Sequence, residues 1–406
     1  LYFSQRSSIA NLPQIILVEL LSQLLAKDYT YVVYHPCDEA GLSPDILKAV
    51  EKQGFVNIAP KGARPIFAVN MRSPVIVFKN VDTVIKHPLN KNRAVLAAVE
   101  KAHDKMLSML TSIYPGELII SYNSGIMYHK IINLIARINK VSPLPYAEKS
   151  YGRYMAVPFG KLLEGSAVPN TVTKSMHTEK YFYRDVSDFT IEEKSYYSTL
   201  ENQVRTIKSF NRPVILVDDL LHKGYRMNEI DPILKSNDVE VVETVVGVQT
   251  GRGRDLMTIK ERTVDSAYFL PNLKCWIDES DMYPYIGGDS MKDAGVAVES
   301  QSVIPSLNLL LPFAVPTFLG NISGQNLYDY SMTCLENARD ILETLEDEYQ
   351  KEFEQKLTLK RLGEVIIDPK NPDIVSHIRP DENTAPSDYV ETDIEKLIRM
   401  RKMFKW

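Results

Sequence analysis

Two adjacent carboxylates, Asp218 and Asp219, combine residue type and position in a way that suggests chemistry. They follow the apolar run 213–217, which has the composition of a strand buried on both faces. The segment after them contains Gly224 and leads into a predicted helix. In open α/β sheets, ligands bind where strands end and where helix N-termini offer unpaired N–H groups to anions. The pattern therefore predicts a site for a phosphorylated ligand at the end of this strand.

A second candidate lies upstream, between a short strand-like run at 118–121 and the helical pattern at 126–138. The polar loop between them comprises Ser121, Tyr122, Asn123, Ser124 and Gly125. A loop of this kind is either an ordinary βα turn or a place where backbone N–H groups bind an anion. Both interpretations fit the sequence.

Strand-like and helical segments alternate along much of the chain, which predicts an α/β protein with a mainly parallel sheet. The expected helices are 9–26, 45–53, 91–113, 191–210, 326–361 and 394–405, and the expected strands are 29–35, 65–70, 74–79, 213–217 and 240–248. Residues 145–190 show no sustained periodicity, so we expect them to form a long functional loop or lid. Its cations Lys161, Lys174, Lys180 and Arg184 receive no individual roles.

The length of 406 residues predicts two or three domains. Residues 1–6 look like the remnant of a purification tag, so a native N-terminal domain upstream of them stays an open expectation. We expect an N-terminal α/β unit at 7–114, the main domain at 115–302, and a C-terminal helical region with a tail at 303–406. The long helix of that last region is expected to serve packing or homodimerisation.

The net charge of -5 gives no global attraction to nucleic acid or to anionic lipid, so neither is an expected partner. Three scattered cysteines without CxxC spacing argue against a disulfide framework and favour a cytoplasmic protein. No apolar stretch is long enough to predict a membrane span. The sequence also lacks HExxH, GxSxG and Walker patterns, which argues against common zinc, hydrolase and P-loop sites.

At the acidic pair the sequence resembles the type I phosphoribosyltransferase family, whose signature joins an apolar strand, two acidic residues and a Thr/Gly-rich phosphate loop. The order of the loop 121–125, the long segment 145–190 and the pair at 218–219 also matches that family. The resemblance covers residues 115–300 and implies a parallel sheet of the phosphoribosyltransferase type. It implies binding of phosphoribosyl pyrophosphate (PRPP) or a related ribose phosphate, with Mg²⁺ as cofactor if the protein is active.

Carried onto this chain, the resemblance implies that Asp218 and Asp219 contact the ribose hydroxyls, directly or beside Mg²⁺. It implies that residues 121–125 bind the pyrophosphate. The 5-phosphate loop then comprises His222, Lys223, Gly224, Tyr225 and Arg226. Where the family has Thr-Gly-Gly-Thr, this loop has long or bulky residues: Lys and Arg can bind phosphate through charge, whereas Tyr225 would crowd it.

Two functions fit this pattern. One is transfer of the phosphoribosyl group to a base or amine; the other is noncatalytic binding of a nucleotide or phosphate, as in an accessory region of a cytidylyltransferase-related protein. His222 is otherwise expected to be a solvent-exposed loop residue, and residues 251–254 form either an anion site or a solvated loop. Trp276, Tyr283 and Tyr285 either stack a base or pack in the core.

Overall fold

A computed structural model describes residues 12–34, 44–183, 185–292, 303–372 and 381–404. The expected tag remnant and Arg184 lie outside these ranges. The strands are β1 (Tyr31–Tyr34), β2 (Val56–Asn57), β3 (Phe67–Lys79), β4 (Glu117–Asn123), β5 (Met155–Pro158), β6 (Val172–Thr173), β7 (Thr178–Phe182), β8 (Phe189–Glu193), β9 (Val214–Leu221), β10 (Val241–Thr250), β11 (Val264–Leu270), β12 (Cys275–Asp278), β13 (Asp289–Met291), β14 (Ile304–Leu307) and β15 (Lys370–Asn371). The helices are α1 (Leu12–Ala26), α2 (Pro44–Lys52), α3 (Val81–Val84), α4 (Arg93–Ile113), α5 (Ser124–Asn139), α6 (Leu200–Ser209), α7 (Tyr225–Ser236), α8 (Gly251–Ile259), α9 (Gly324–Phe353), α10 (Leu362–Val365) and α11 (Pro386–Phe404).

A five-stranded parallel sheet, here called the central sheet, has the order β11-β10-β9-β5-β6. On β9, Ile215 and Val217 pack with residues of α5, whereas Val214 and Leu216 pack on the other face with α6 and α7. Helices cover both faces of this sheet, which explains why the strand reads as an uninterrupted apolar run. The expectation of an α/β protein with a parallel sheet is confirmed.

A second sheet, here called the first sheet, is built around the long strand β3. The N-terminal half of β3 pairs antiparallel with β1 and β2, and its C-terminal half pairs parallel with β4 and β12. The two strands expected at 65–70 and 74–79 are therefore one strand. Because β4 and β12 both fall within residues 115–302, the expected boundary at residue 114 does not separate the sheets.

The third sheet is short and mixed, with the order β15-β14-β13-β7-β8. Its strands β7 and β8 and the central strand β5 all begin within residues 145–190. The expectation of one long irregular loop there is wrong. The strand β5 has only four residues, all buried, and so short a run shows no periodicity in the sequence. It nevertheless lies between β9 and β6, inside the central sheet.

The C-terminal region packs on the first sheet through α9, which contacts α4 and α11. Its apolar stripe, which includes Cys334, Ala338 and Leu342, is buried within the chain, so the expected packing role is confirmed. The helix ends at Phe353, where Glu354 adopts the left-handed conformation, earlier than the expected residue 361. Across the described ranges, no helix combines the length and apolarity that crossing a membrane requires.

Substituting Asn92 tests how α4 is fastened to α9. The Asn92 Oδ1 accepts N–H bonds from Ala94 and Val95, and its Nδ2 donates to Glu348 Oε2 at 2.6 Å. Because the substitution removes both the cap and the link, Asn92→Ala is expected to lower the free energy of unfolding by about 1–2 kcal/mol. Chemical denaturation measures it. Asn202→Ala, at an exposed helical position, should change stability by less than about 0.5 kcal/mol, and equal losses in the two variants would contradict the capping role.

Candidate functional site

A cleft of about 360 Å³ lies where the three sheets meet. The central sheet contributes the end of β9 and the start of α7, the first sheet contributes β12, and the third sheet contributes β7, β8 and β13. Its acidic residues are Glu179, Asp218, Asp219, Asp278, Asp281 and Asp289, and its cationic residues are Lys161, Lys180, Lys223 and Arg226. This concentration of charge makes the cleft the candidate functional site.

The acidic pair reaches the cleft because the neighbouring strand stops early. On β5 the last paired residue is Pro158, opposite Val217 of β9, so Asp218 and Asp219 extend past the end of β5. The Asp218 Oδ1 accepts bonds from Arg226 Nη1 at 3.2 Å and from the Asp219 N–H at 2.9 Å. The pair therefore lies at the carboxyl edge of a parallel sheet, where α/β proteins bind ligands.

The loop beside the acidic pair is the one that follows β5. The Leu162 N–H donates to Asp219 Oδ1 at 3.0 Å, and Lys161 Nζ donates to Asp281 Oδ2 at 2.7 Å. At Gly160 a Cβ atom would lie 2.4 Å from Asp218 Oδ1, so only glycine permits this approach. The loop after β5, and not residues 121–125, therefore lies against the acidic pair.

Residues 121–125 lie elsewhere. They follow β4 in the first sheet, and the pocket that Ser121, Tyr122 and Asn123 line is separate from the cleft. Tyr122 is buried with its hydroxyl 3.0 Å from Ser22 Oγ, Asn123 caps α5, and Ser124 and Gly125 begin that helix. The expectation that this loop and the acidic pair share one site is not met, because β4 pairs with β3 and not with a strand of the central sheet.

The expected 5-phosphate loop does lie in the cleft, where all five of its residues contribute to the lining: His222, Lys223, Gly224, Tyr225 and Arg226. Gly224 has a positive φ of 67°, and a Cβ there would meet Leu256 Cδ2 at 2.0 Å. The helix α7 then begins at Tyr225 with no side-chain cap. Its first N–H groups are left for an anion in the cleft.

Two side chains of this loop differ from expectation. His222 is half-buried and not solvent-exposed: its Nδ1 lies 3.0 Å from Thr250 Oγ1, and burial, followed by the charges of Lys223 and Arg252, lowers the pKa of its imidazole. Tyr225 is 47% exposed, and its ring packs edge-on against Phe189 with centroids 4.8 Å apart. The tyrosine ring thus forms part of the outer wall of the cleft.

The sequence links Asp278 and Asp281 only to the aromatic residues Trp276, Tyr283 and Tyr285, as groups that would bind the edge of a stacked base, and it gives no role to Asp289. Asp278 ends β12, as Asp218 does for the apolar part of β9, but the strand has four residues and carries a weak signal. Asp281 Oδ1 accepts the Gly288 N–H at 3.3 Å, and its other oxygen binds Lys161. Asp289 pairs with Lys180 at 2.7 Å. What the sequence did not indicate is that these acidic residues share one cleft with Asp218 and Asp219.

The structure distinguishes between the alternatives that the sequence leaves open for the aromatic residues and for residues 251–254. Tyr283 and Tyr285 are buried in the core, which confirms packing for both, whereas Trp276 lines the cleft and donates Nε1–H to Asp278 Oδ1 at 3.2 Å. Base stacking by Trp276 stays a prediction. Residues 251–254 are the first turn of α8 and not a loop. They do not belong to the lining of the cleft.

Asp219 and Asp278 are the carboxylates with the least compensation. Burial raises the pKa of Asp219 to about 6; Asp218 adds to this shift and Arg226 opposes it. Burial likewise raises the pKa of Asp278 to about 6, with Lys161 opposing and Asp281 and Asp219 adding. At Asp281, burial is outweighed by the charge of Lys161, so its pKa is lowered. Asp219 and Asp278 therefore lie where their charged forms are disfavoured, chiefly because they are buried.

These two carboxylates fit the expected Mg²⁺ as partial ligands. Within the described ranges, no three His, Cys, Asp or Glu side chains are arranged to hold a metal ion. Magnesium in nucleotide and phosphate sites commonly takes one or two carboxylates and completes its shell with phosphate oxygens and water. Asp219 and Asp278 supply carboxylate oxygens that have no ion-pair partner among the described residues, so they suit an ion that arrives with a phosphorylated ligand.

Asp278→Asn tests the electrostatic strain in the cleft through its pH dependence. Folding raises the pKa of this carboxyl from near 4 to about 6. As the pH rises between these two values, the unfolded chain releases the proton first, so the free energy of unfolding of the wild type falls. Above pH 6 the variant should exceed the wild type in free energy of unfolding by about 1–2 kcal/mol, and near pH 4 the difference should vanish. Thermal denaturation from pH 4 to 8 measures it; a pH-independent difference would contradict it.

Comparisons with known proteins add little to this picture. No protein-family model matches the chain, and no curated protein matches it. An adenine phosphoribosyltransferase structure from Thermoanaerobacter pseudethanolicus is 14% identical over 35% of this chain and 80% of its own, with a TM-score of 0.20. A hypoxanthine phosphoribosyltransferase from Trypanosoma cruzi, a mutant complexed with the product IMP, is 13% identical over 36% and 71%, with a TM-score of 0.22. Likeness at this level carries no argument about function, and neither protein supports the expected relation to cytidylyltransferases.

Proposed function

We propose that the cleft binds PRPP or a related ribose phosphate and, with Mg²⁺, transfers the phosphoribosyl group to a base or amine. One observation carries this proposal: the acidic pair Asp218–Asp219 and the uncapped N-terminus of α7 lie in the same cleft, joined by a loop with a left-handed glycine. An acidic pair suits ribose hydroxyls, and an open helix N-terminus suits a phosphate. Their separation by a few residues suits the two ends of one ribose phosphate.

The 5-phosphate is assigned to the first turn of α7. Its unpaired N–H groups and the positive end of the helix dipole favour an anion, and Lys223 adds a charge beside them. Gly224 permits the backbone to turn into the helix in the left-handed conformation, at a place where a Cβ would clash with Leu256. The ribose then extends along the cleft towards Asp219.

The pyrophosphate is assigned to the loop after β5. Lys161 lies there beside the acidic pair, and the short turn at Lys161–Leu163 begins directly after Gly160. When bound, Mg²⁺ would neutralise charge on the pyrophosphate as it leaves. Lys161 is held by Asp281, so the cation is fixed in place before the ligand arrives.

The carboxylates supply the negative charge that displacement of pyrophosphate requires beside the ribose. Departure of pyrophosphate leaves positive charge on the ribose ring, and fixed anions nearby stabilise a transition state of that kind. Asp219 is the best candidate for stabilising this positive charge. Its carboxylate accepts a backbone N–H and has no ion-pair partner among the described residues. Asp218 is partly neutralised by Arg226, so we assign it to orienting the ribose hydroxyls.

The Arg226–Asp218 ion pair also favours the noncatalytic alternative. A carboxylate held by an arginine contributes less negative charge to a reaction, so a protein with this pair can bind the ligand without turning it over. The two functions differ in a single measurable step, which is pyrophosphate release.

Calorimetric titration with PRPP, with and without Mg²⁺, tests the binding step. Magnesium-dependent binding is expected, and no heat at about millimolar PRPP would contradict PRPP binding and, with it, transfer of the phosphoribosyl group. A pyrophosphate-release assay with a panel of purine and pyrimidine bases and amines then separates the two functions. Release above the acceptor-free rate supports transfer, whereas binding without release supports the noncatalytic alternative.

A further inference from the structure

A chain of hydrogen bonds outside the cleft joins Ser121, His103 and Glu279. The Ser121 Oγ lies 2.9 Å from His103 Nε2, and His103 Nδ1 lies 2.6 Å from Glu279 Oε2. The other glutamate oxygen accepts the Tyr283 hydroxyl at 2.9 Å. His103 and Glu279 are buried, whereas Ser121 is partly exposed where β4 ends. Hydroxyl, imidazole and carboxylate are thus arranged in line, with only the hydroxyl accessible.

This order has the geometry of a nucleophile, a general base and a group that orients the base. Such constellations are identified by geometry and role, and they occur without a GxSxG motif on unrelated folds. Here the three members come from β4, from α4 and from the residue after β12. The strands β4 and β12 both pair with β3, which is what brings Ser121 and Glu279 close to each other across the sheet.

A pocket of about 110 Å³ opens in front of Ser121. It is separate from the cleft, and its lining includes Ile15, Val18 and Ile126 beside Asn123 and the charged residues Glu19, Lys79 and Glu100. The volume is well below that of sites for drug-sized ligands, and the wall is partly apolar. A short acyl group suits both the size and the lining.

We propose that Ser121, His103 and Glu279 form a second catalytic site, which hydrolyses esters of short carboxylic acids. Ser121 Oγ attacks the carbonyl carbon while its proton passes to His103 Nε2, and Glu279 stabilises the imidazolium. The ester C–O bond breaks and the alcohol leaves with that proton, so an acyl group remains on Ser121. Water then attacks the acyl carbon and gives its proton to His103, and the carboxylic acid departs as the serine regains a proton. Ester and water give acid and alcohol, with no other reactant.

The pocket also holds donors for the negative oxygen of the intermediate. Asn123 Oδ1 accepts the Ile126 N–H, which leaves its amide N–H₂ group for the pocket it lines. Lys79 adds a cation, which is paired with Glu100 in the same lining. Donors of this type supply the electrostatic part of acyl transfer.

A fluorophosphonate probe followed by peptide mass spectrometry tests the nucleophile. The full chain should gain one adduct, on Ser121, and hydrolysis of p-nitrophenyl acetate should fall to background as the adduct forms. Ser121→Ala should abolish both signals, whereas the exposed control Ser112→Ala should keep them. No adduct on Ser121, or hydrolysis unchanged in Ser121→Ala, would overturn the proposal.

Activation by His103 needs its own readout, because a purely structural hydrogen bond would also hold Ser121. His103→Gln should slow labelling at least about 100-fold if the imidazole is the base. Since this buried substitution can unfold the chain, a second pair of variants covers that outcome: at pH 7 the thiol of Ser121→Cys should react with iodoacetamide at least about tenfold faster than that of Ser112→Cys. Equal rates would show that Ser121 is not activated and would overturn the proposal. PRPP binding should stay unaffected in every variant that folds, since the two pockets are separate.

Discussion

Replacing Asp219 with Asn is expected to weaken magnesium-dependent PRPP binding at least about 100-fold, which corresponds to ~2.7 kcal/mol. Asp219 projects past the end of β5, and among the described residues no cation forms an ion pair with it, although the charge of Arg226 lies near enough to act on it. Its charge is therefore available to Mg²⁺ and to the ribose. The amide keeps the shape and can still accept the Leu162 N–H, so the loss reports the charge. Calorimetry with and without Mg²⁺ measures it.

Two controls distinguish lost binding from lost structure. Asp255→Asn removes the same charge from an exposed position on α8 and should bind as the wild type does. Asp219→Asn itself should melt no lower than the wild type at pH 7, because burial and Asp218 oppose its ionisation in the folded chain. Full affinity in Asp219→Asn with Mg²⁺ present would remove Asp219 from the site.

Gly160→Ala is expected to cost about 3 kcal/mol of stability and to abolish PRPP binding. The new methyl group would lie 2.4 Å from Asp218 Oδ1 and 2.9 Å from the backbone nitrogen of Asp219. Neither atom belongs to the free end of a long side chain, so the loop or the end of β9 must move. Displacement of the acidic pair by even about 1 Å loses the alignment on which a reaction depends. Denaturation and calorimetry on the same sample measure the two losses.

Gly363→Ala is the matched control, because a Cβ there would make only an ordinary contact with Pro369 Cγ at 3.9 Å. It should leave PRPP binding intact. Wild-type affinity in Gly160→Ala would show that the loop after β5 does not hold the acidic pair, and the assignment of pyrophosphate to that loop would then be withdrawn.

One strand serves both proposed sites. Asp278 ends β12 and lines the cleft, whereas the next residue, Glu279, is buried and binds His103. Asp278 is the last residue of the strand, whereas Glu279 has the helical backbone conformation that begins the next turn, so these two neighbouring carboxylates reach different pockets. A change in the position of β12 would therefore affect PRPP binding and Ser121 labelling together.

Local signals were sufficient for much of the fold. The helix expected at 91–113 is α4, and the run at 213–217 begins β9, because apolar spacing depends only on which faces of an element are covered. The acidic pair and residues 222–226 were placed in one site for the same reason. They follow the strand directly, so chain connectivity alone keeps them at its end.

The loop at 121–125 shows where that reasoning stops. A strand, a polar turn and a helix occur there as expected, but the same local pattern also occurs at β10 and α8. Which sheet a strand joins depends on its hydrogen-bonding partner, and β4 pairs with β3, which precedes it by more than thirty residues. Nothing in the loop itself encodes that pairing.

The sequence by itself determined the α/β class, the run of buried strands and helices, and the position of Asp218, Asp219 and residues 222–226 around one strand end. These properties follow from side-chain periodicity and from chain connectivity, both of which are local. Only the tertiary structure decided that β5 lies beside β9, that Asp278 shares the cleft, and that Ser121 meets His103 and Glu279. These juxtapositions join residues far apart in the chain, and the free energy that selects them comes from burying whole faces of sheets and helices against one another.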